Sequence, residues 1–264
     1  MVGACGYLGR HVVEALRPLA PIIAATDGRC TEKVILEIPR NPEAWSLEQI
    51  NEVRGSVVVY AAGHRPPATS FDENVTELGL LLRVVEPRRI VLVSSNAAAF
   101  PETPYGWSKW AQERVVVAHA LERGANARVA RLVHLYGDAA DEPSLERLSV
   151  VDRWIRQARQ GAAIRCAEDV AFDMLHVADA ARALADMALR VRQFGSLETW
   201  DVGSGQAWRL DQLGTQIALA AGVPLQTFDG DPVTFPVAGQ RAKRWTRTGE
   251  AWTPSTWARA QLEA

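Results

Sequence analysis

Short apolar segments alternate with helix-forming segments along the first half of this chain. Strand-like runs occupy residues 34–38, 56–61, 90–93 and 127–135, and helical patterns fall at about 7–18, 45–53, 71–86 and 104–123. Because the strand-like runs are apolar on both faces, they are typical of a parallel sheet that is covered by helices on each side. The alternation therefore predicts an α/β fold with a doubly wound parallel sheet.

A glycine-rich turn opens the chain, with Gly3, Gly6 and Gly9 at intervals of three residues. Such glycines permit a tight turn, close approach of a pyrophosphate to the backbone, and close packing of the helix that follows. Apolar residues then recur at helical spacing, so the N–H groups of Tyr7 and Leu8 are expected at a helix N-terminus that faces an anion. The segment predicts a dinucleotide site.

The next strand-like run, residues 21–26, ends at Asp27, which lies 18 residues beyond Gly9. A carboxylate near this offset accepts hydrogen bonds from the free hydroxyls of an adenosine ribose and repels a 2′-phosphate. Asp27 thus favours NAD over NADP. Arg29 keeps NADP open as an alternative, because a guanidinium binds phosphate.

The segment Tyr105-Gly106-Trp107-Ser108-Lys109 places a phenol and an ammonium one helical turn apart, on the same face. A nearby cation stabilises a phenolate and lowers its pKa from about 10 towards the range of a proton-transfer catalyst. The apolar run before it ends in Ser94-Ser95, which can deliver a hydroxyl to the same place. This pattern predicts a catalytic site.

The first strand of the predicted sheet is nearly absent, since only Met1-Val2 precede Gly3. Loss of a central strand would leave unpaired backbone groups on both neighbouring strands. Two explanations are open: the true start lies upstream, or the fold has lost this strand. The first is favoured.

Composition excludes several classes of protein. A net charge of −2 and a pI near 6.2 argue against a nucleic-acid partner. No apolar stretch approaches the length of about 20 residues that a membrane helix needs, and no signal peptide is recognisable. Cys5, Cys30 and Cys166 are too few and scattered for a disulfide framework, and no metal-ligand spacing is evident. A cytoplasmic protein without metal is expected.

The sequence pattern changes after Gly137, where a polar loop begins. Beyond it we expect a helix around 148–160, a short strand at Ile164, a helix near 178–191 and a strand at 199–202. The predicted organisation is an NAD-binding region, residues 1–137, and a mainly substrate-binding lobe, residues 138–264, which is partly threaded back onto the sheet.

Together these motifs resemble the extended short-chain dehydrogenase/reductase family, the NAD-dependent epimerase/dehydratase branch with a Rossmann-type sheet. The resemblance covers nearly the whole chain. It rests on the glycine turn, on the strand end Ala61-Ala62-Gly63, on Asn74 in the next helix, on Val93-Ser94-Ser95 and the Tyr105/Lys109 pair, and on the later segments 135–137, 175–179 and 202–205.

The resemblance implies a role for each of these residues. Tyr105 would act as general acid/base, Lys109 would lower the pKa of Tyr105 and hold the nicotinamide ribose, and Ser95 would bind the reacting oxygen. Ser94 and Asn96 remain alternatives for Ser95. The residues expected to bind NAD are Gly3, Gly6, Tyr7, Leu8, Gly9, Asp27, Ala61, Ala62, Gly63, Asn74, Tyr105 and Lys109.

Three departures from the family pattern concern the substrate. His134 stands where nucleotide-sugar enzymes generally have Asn, and Phe172 stands where they often carry an Arg that grips the diphosphate. The acidic pair of dehydratases is also missing after Ser95. These departures argue against 4,6-dehydration and weaken the case for a nucleotide sugar. The leading hypothesis is an NAD-dependent oxidoreductase of a sugar-like alcohol or ketone; an epimerase with retained NAD and a non-catalytic dinucleotide sensor are the alternatives.

Several further residues have a structural and a functional interpretation. His64, Arg65, Arg131 and Arg147 are candidates to line a substrate cleft, although solvated or structural roles are the simpler reading. His176 is expected to pack or to cap a helix. The family resemblance also implies a homodimer through the Tyr105 helix, where Val115, Val116 and Ala118 form either interface or core.

Overall fold

The computed structural model describes residues 1–26, 36–62, 71–137, 148–190, 196–230, 233–234, 243–244 and 252–263. Asp27, Gly63, His64, Arg65 and Arg147 lie outside these described residues, as do Arg29 and Cys30. The chain divides into two compact units: residues 1–132 with 181–200, and residues 133–180 with 201–264. The assignment of substrate binding to the C-terminal lobe stays a prediction.

The first unit follows the predicted alternation of strand and helix. Its elements are α1 (Tyr7–Leu16), β1 (Ile23–Thr26), β2 (Leu36–Pro39), α2 (Leu47–Val53), β3 (Val57–Tyr60), α3 (Phe71–Val85), β4 (Arg89–Ser95), α4 (Pro104–Arg123) and β5 (Asn126–Leu132). β1 pairs with β2, and β3, β4 and β5 pair in that order, all parallel. The predicted α/β fold with a Rossmann-type parallel sheet is confirmed.

Met1–Gly3 occupies the place of the missing first strand. Val2 forms isolated parallel bridges to Ala25 of β1 and Tyr60 of β3. Its N–H donates to the Val59 carbonyl at 2.9 Å, and its carbonyl accepts from the Ala61 N–H at 3.0 Å. On the β1 side, the Ala25 N–H donates to the Met1 carbonyl at 2.9 Å and the Gly3 N–H donates to the Ala25 carbonyl at 3.3 Å. Met1–Gly3 therefore satisfies backbone groups on both neighbouring strands.

The core of this unit is apolar on both sides of the strands. Val58, Tyr60, Ile90 and Leu92 are buried with leucines of α3 and with Val116 of α4. β-branched residues fill the strands because they pack well on a pleated, buried surface. Thr103 caps the N-terminus of α4, and its hydroxyl accepts a hydrogen bond from the Gly106 N–H. The helix ends at Gly124 in the left-handed conformation that favours glycine.

Two buried arginines connect the strands to a later helix. α6 (Val177–Leu189) ends in this unit. Arg89 of β4 donates to the Ala188 carbonyl at 2.6 Å, and Arg128 of β5 donates to the Met187 carbonyl at 2.5 Å. Carbonyls in the last turn of a helix lack intrahelical donors, so these guanidinium groups satisfy them and complement the negative end of the helix dipole.

The second unit has smaller sheets. Its elements, together with those that cross between the units, are β6 (His134–Tyr136), α5 (Val150–Arg159), β7 (Ile164–Ala167), β8 (Val170–His176), α6, β9 (Leu197–Val202), β10 (Ala207–Arg209), α7 (Leu210–Ala221), β11 (Leu225–Phe228), β12 (Val233–Thr234), β13 (Lys243–Arg244) and α8 (Pro254–Glu263). β8 pairs with β6, β10 and β12, and β7 pairs with β11. Trp154, Met174 and Leu213 belong to its core.

One predicted strand is divided. The run at residues 127–135 was expected to form a single strand, but β5 ends at Leu132 and β6 begins at His134. β5 pairs with β4 in the first unit, whereas β6 pairs with β8 in the second. A continuous apolar run does not reveal which neighbours its two ends will pair with. The described helices include none long and apolar enough to cross a membrane.

Candidate functional site

The glycine turn has a geometry that only small residues allow. Gly3 has φ +77°, and a Cβ there would lie 3.0 Å from backbone atoms of Ala61 and Ala62. A Cβ on Gly9 would overlap the carbonyl oxygen of Gly3 and lie 2.8 Å from its carbonyl carbon. The backbone of the turn thus packs directly against the backbone at the end of β3, and the first turn of α1 packs against the backbone of Gly3.

The N-terminus of α1 is open to an anion. Its cap residue, Gly6, offers no side-chain hydrogen bond, and no acidic side chain occupies the first turn. The first N–H groups of a helix need acceptors from outside the helix, and the helix dipole favours a negative one. The binding of a pyrophosphate by Gly3, Gly6, Tyr7, Leu8 and Gly9 is compatible with this geometry and stays a prediction.

The segment after β4 is brought against the start of α4. A Cβ on Gly106 would lie 2.7 Å from the Ala97 carbonyl oxygen and 3.1 Å from the Cα of Pro101. The glycine that follows Tyr105 is thus required for this close approach. It places the first turn of α4, with Tyr105, beside the turn that follows Ser95. The side chain of Tyr105 is partly exposed.

Lys109 lies one turn further along α4 and is buried, with 6% of its surface exposed. Its Nζ donates to the Val93 carbonyl of β4 at 3.2 Å. Burial lowers the pKa of Lys109 to about 8, and the carboxylate of Glu113 opposes this effect. Because a buried cation is costly unless it has partners, its placement at the carboxyl end of β4 requires a specific set of neighbours.

The two serines at the end of β4 differ in their partners. The Ser94 hydroxyl is buried and donates to Glu113 Oε1 at 2.6 Å. Ser95 is partly exposed, and its Oγ accepts from the Ala97 N–H at 3.3 Å. A hydroxyl has one hydrogen to donate, and Ser94 donates that hydrogen to Glu113. The Ser95 hydrogen is not used in the bond from Ala97, and the choice among Ser94, Ser95 and Asn96 stays a prediction.

Asn74 is buried between two helices. Its side-chain Nδ2 donates to the Ser108 hydroxyl at 3.3 Å, and its backbone carbonyl oxygen accepts from Gln112 Nε2 at 3.2 Å. These bonds hold α3 against α4 on either side of Lys109. The structure thus gives Asn74 a packing role next to the proposed catalytic helix, and its role as a cofactor ligand stays a prediction.

Glu113 is the buried residue that the sequence did not single out, whereas its partner Arg131 was named with a structural role as the simpler interpretation. Arg131 was a candidate to line a substrate cleft, but its guanidinium forms a two-pronged ion pair with Glu113, at 2.9 and 2.7 Å. The sequence signal for Glu113 is its position: it is a charged residue two turns after Tyr105, on a helix face that is otherwise buried. It was overlooked because Glu is usually exposed on a helix.

The other sequence candidates lie in the second unit. His134 and Phe172, which depart from the family pattern, stack with ring centroids 4.1 Å apart and planes at 27°. His176 accepts a hydrogen bond from the Ala178 N–H and packs on Tyr136 and Trp257, so it caps α6 as expected. In the described part of the chain no group of three His, Cys, Asp or Glu side chains is arranged to hold a metal.

On α4, the three residues considered for a dimer interface have different environments. Val116 is fully buried in the core, Val115 packs against the core and Ala118 is exposed. Two large apolar side chains elsewhere on the helix are exposed, Trp107 at 49% and Trp110 at 39%. Their rings contact each other edge to face, and Arg114 lies over Trp110.

Part of the chain matches the model of a known protein family. Residues 85–203 match the NAD dependent epimerase/dehydratase family. This segment contains Ser95, Tyr105 and Lys109, and the resemblance inferred from the motifs is confirmed. Members of this family are enzymes, as the sequence predicted for this chain. No curated protein matches the chain.

Solved structures share the fold. UDP-N-acetylglucosamine 4-epimerase from Bacillus cereus is 19% identical, with a TM-score of 0.75 over 99% of this chain and 94% of that one. MoeE5, in complex with UDP-glucuronic acid and NAD, is 24% identical, with a TM-score of 0.72 over 92% and 87%. RMD from Pseudomonas aeruginosa, complexed with NADPH, is 20% identical, with a TM-score of 0.66 over 99% and 96%. The NAD of MoeE5 and the NADPH of RMD agree with the predicted NAD(P).

The glycine turn generates a test of its geometry. Gly9→Ala is expected to lower the free energy of unfolding by about 2 kcal/mol or more, because its methyl group would overlap backbone that cannot move away. Gly6→Ala is the matched control, since a Cβ there lies 3.4 Å from its nearest atom, the Gly3 oxygen. Urea denaturation of both variants without ligand measures the difference. Equal stabilities would contradict the described turn.

Proposed function

Because residues 85–203 match the NAD dependent epimerase/dehydratase family, we propose that this protein is an NAD(P)-dependent oxidoreductase that transfers hydride between nicotinamide and a sugar-like alcohol or ketone. The observation that carries the proposal is the Lys109 ammonium, which is buried at the end of β4 one turn from the partly exposed Tyr105.

The cofactor would lie across the carboxyl ends of the parallel strands. The pyrophosphate would bind at the N-terminus of α1, in the turn of Gly3, Gly6 and Gly9, with Ala61 and Ala62 alongside. The nicotinamide supplies the hydride chemistry, and the protein orients it. Preference for NAD rests on Asp27, with Gly63 completing the predicted strand end.

The chain's own residues would handle the proton. Tyr105 would give a proton to, or take one from, the substrate oxygen, and Ser95 would donate a hydrogen bond to the same oxygen. The ammonium of Lys109 would stabilise the phenolate form of Tyr105, since opposite charge nearby favours the ionised state. The ammonium also offers donors to the hydroxyls of the nicotinamide ribose.

The substrate is proposed to be sugar-like, without a firm place for a nucleotide diphosphate. Phe172 stacks on His134, so neither position offers the guanidinium or amide that the family resemblance leads one to expect there. This supports a free sugar or sugar acid over a nucleotide sugar. Carbohydrate metabolism in the cytoplasm is proposed as well, since three scattered cysteines are too few for the disulfide framework of a secreted protein.

An epimerase is the second candidate, favoured by the family match and by the 4-epimerase among the structural neighbours. It would use the same tyrosine and the same hydride step, but the cofactor would be reduced and reoxidised within one cycle. The two reactions differ in one observable: a dehydrogenase consumes free NAD in proportion to product, whereas an epimerase retains its NAD and shows no net reduction.

Tyr105→Phe tests the proposed chemistry. Turnover on a panel of free sugars, sugar acids and nucleotide sugars is expected to fall by at least about a thousandfold, because the phenylalanine cannot transfer a proton. NAD(H) affinity, measured by calorimetry, should change only a few-fold. Normal turnover in this variant would refute the role of the phenol. NAD(H) binding without turnover of any compound in the wild type would favour the dinucleotide sensor.

A homodimer through α4 is also proposed, on the evidence of the exposed Trp107 and Trp110. Large aromatic side chains in a shared patch are typical of protein interfaces. Trp110→Glu is expected to convert the dimer into a monomer, as measured by light scattering after size exclusion. Leu47→Glu on α2, where the leucine is 79% exposed, is the matched control. A monomeric wild type would contradict the proposal.

A further inference from the structure

A buried carboxylate on α4 is not explained by the chemistry proposed above. Glu113 has none of its surface exposed, although Glu is rarely buried completely. It lies one helical turn beyond Lys109 and two beyond Tyr105, so the three side chains follow one face of the helix. A phenol, an ammonium and a carboxylate thus run in sequence from the partly exposed end of this face towards the interior.

Three hydrogen bonds from two residues hold the Glu113 carboxylate. Ser94 of β4 donates to Oε1 at 2.6 Å, and Arg131 of β5 donates to Oε1 at 2.9 Å and to Oε2 at 2.7 Å. Bonds from a guanidinium in this two-pronged arrangement are among the strongest that a carboxylate accepts. The carboxylate is thereby fixed in position next to the strand end where Lys109 is anchored.

Lys109 needs such an anion. Its Nζ is buried, and the hydrogen bond from it to the Val93 carbonyl is made with a neutral acceptor. Burial favours the neutral amine, whereas a negative charge close by favours the ammonium. Without an anion, the lysine would tend to lose the proton on which its effect on Tyr105 depends.

Three other charges on the neighbouring elements have partners elsewhere. On β4 and β5, Arg89 and Arg128 donate to carbonyls of α6. On α3, Glu77 is paired with Arg40. Arg114 lies 3.6 Å from Glu113, but it is half exposed. The groups between α3 and α4 are neutral. Asn74 lies on α3 and is hydrogen-bonded to Ser108 and Gln112 of α4.

We propose that Glu113 is a positioning residue for the Tyr105/Lys109 pair: its buried carboxylate, fixed by Arg131 and Ser94, supplies the charge that keeps Lys109 an ammonium. The significance of this for catalysis rests on the proposed function, but the charge relationship itself does not. Arg131 and Ser94 act at one remove, because they hold the carboxylate and not the lysine.

A purely structural role is the alternative. The Glu113–Arg131 pair also ties α4 to β5, so its loss would destabilise the protein whatever its effect on Lys109. Stability alone therefore cannot distinguish the two interpretations. The protonation of Lys109 can, because a structural tie elsewhere in the unit should leave it unchanged.

The test uses the small number of lysines in the chain. Only Lys33, Lys109 and Lys243 are present, so the full-length protein labelled with ¹³C at lysine Cε gives three NMR signals. Lys33→Arg and Lys243→Arg assign them. The pH titration of the Lys109 signal is then recorded in the wild type, in Glu113→Gln and in a matched control, without substrate or cofactor.

Glu113→Gln is expected to move the titration midpoint of Lys109 down by about one pH unit or more, since it removes an adjacent opposite charge. Glu77→Gln is the control: it breaks an equally close two-pronged pair with Arg40, at 2.6 and 2.7 Å, on the neighbouring helix. It should lower stability and leave the Lys109 midpoint unchanged. If Glu113→Gln does not fold, the double variant Glu113→Gln/Arg131→Gln, which removes both charges of the pair, decides with the same expected direction and a smaller shift, because loss of the Arg131 guanidinium partly offsets loss of the carboxylate.

An unchanged Lys109 midpoint in the folded Glu113 variants, or an equal shift in Glu77→Gln, would overturn the proposal and leave a structural tie. Because the titration needs no turnover, it also separates the two proposals. A shifted lysine in a protein that turns over nothing would refute the proposed function and retain the inference. In an active protein, the pH profile of turnover should move in the same direction as the Lys109 midpoint.

Discussion

The burial of one lysine ammonium beneath the end of a strand is the constraint on which the site depends. Lys109 is removed from water, yet it donates to the carbonyl of Val93 and follows Tyr105 by one turn. Such a cation is costly to keep, and several features of the first unit serve to keep it. Glu113 provides a charge, Ser94 and Arg131 fix that charge, and Asn74 holds α3 against the same helix.

Much of this could be predicted from the sequence, because it depends on local spacing. The parallel sheet follows from apolar runs that alternate with helical patterns, and α4 appears in the structure with its predicted bounds, Pro104–Arg123. The glycine turn could be identified because its residues are adjacent in the chain. The Tyr105/Lys109 pair could be identified because one helical turn brings both side chains to the same face.

The rest depends on contacts between residues far apart in the chain. Nothing local distinguishes Arg131, paired with Glu113 of another element, from an arginine that lines a cleft. The division of residues 127–135 between two sheets also depends on pairing partners, β4 on one side and β8 on the other. The same holds for Val2, which bridges two strands with one residue and replaces a strand that the sequence pattern required.

The central claim is that the ammonium of Lys109 makes the phenol of Tyr105 acidic, and its most direct test is the ultraviolet titration of that phenol. The chain has four tyrosines, so the tyrosinate absorbance of Tyr105→Phe is subtracted from that of the wild type. The account predicts that Tyr105 ionises well below the ordinary value of about 10 and that Lys109→Met raises its midpoint. A midpoint at or above the ordinary value, or one that Lys109→Met leaves unchanged, would contradict the account.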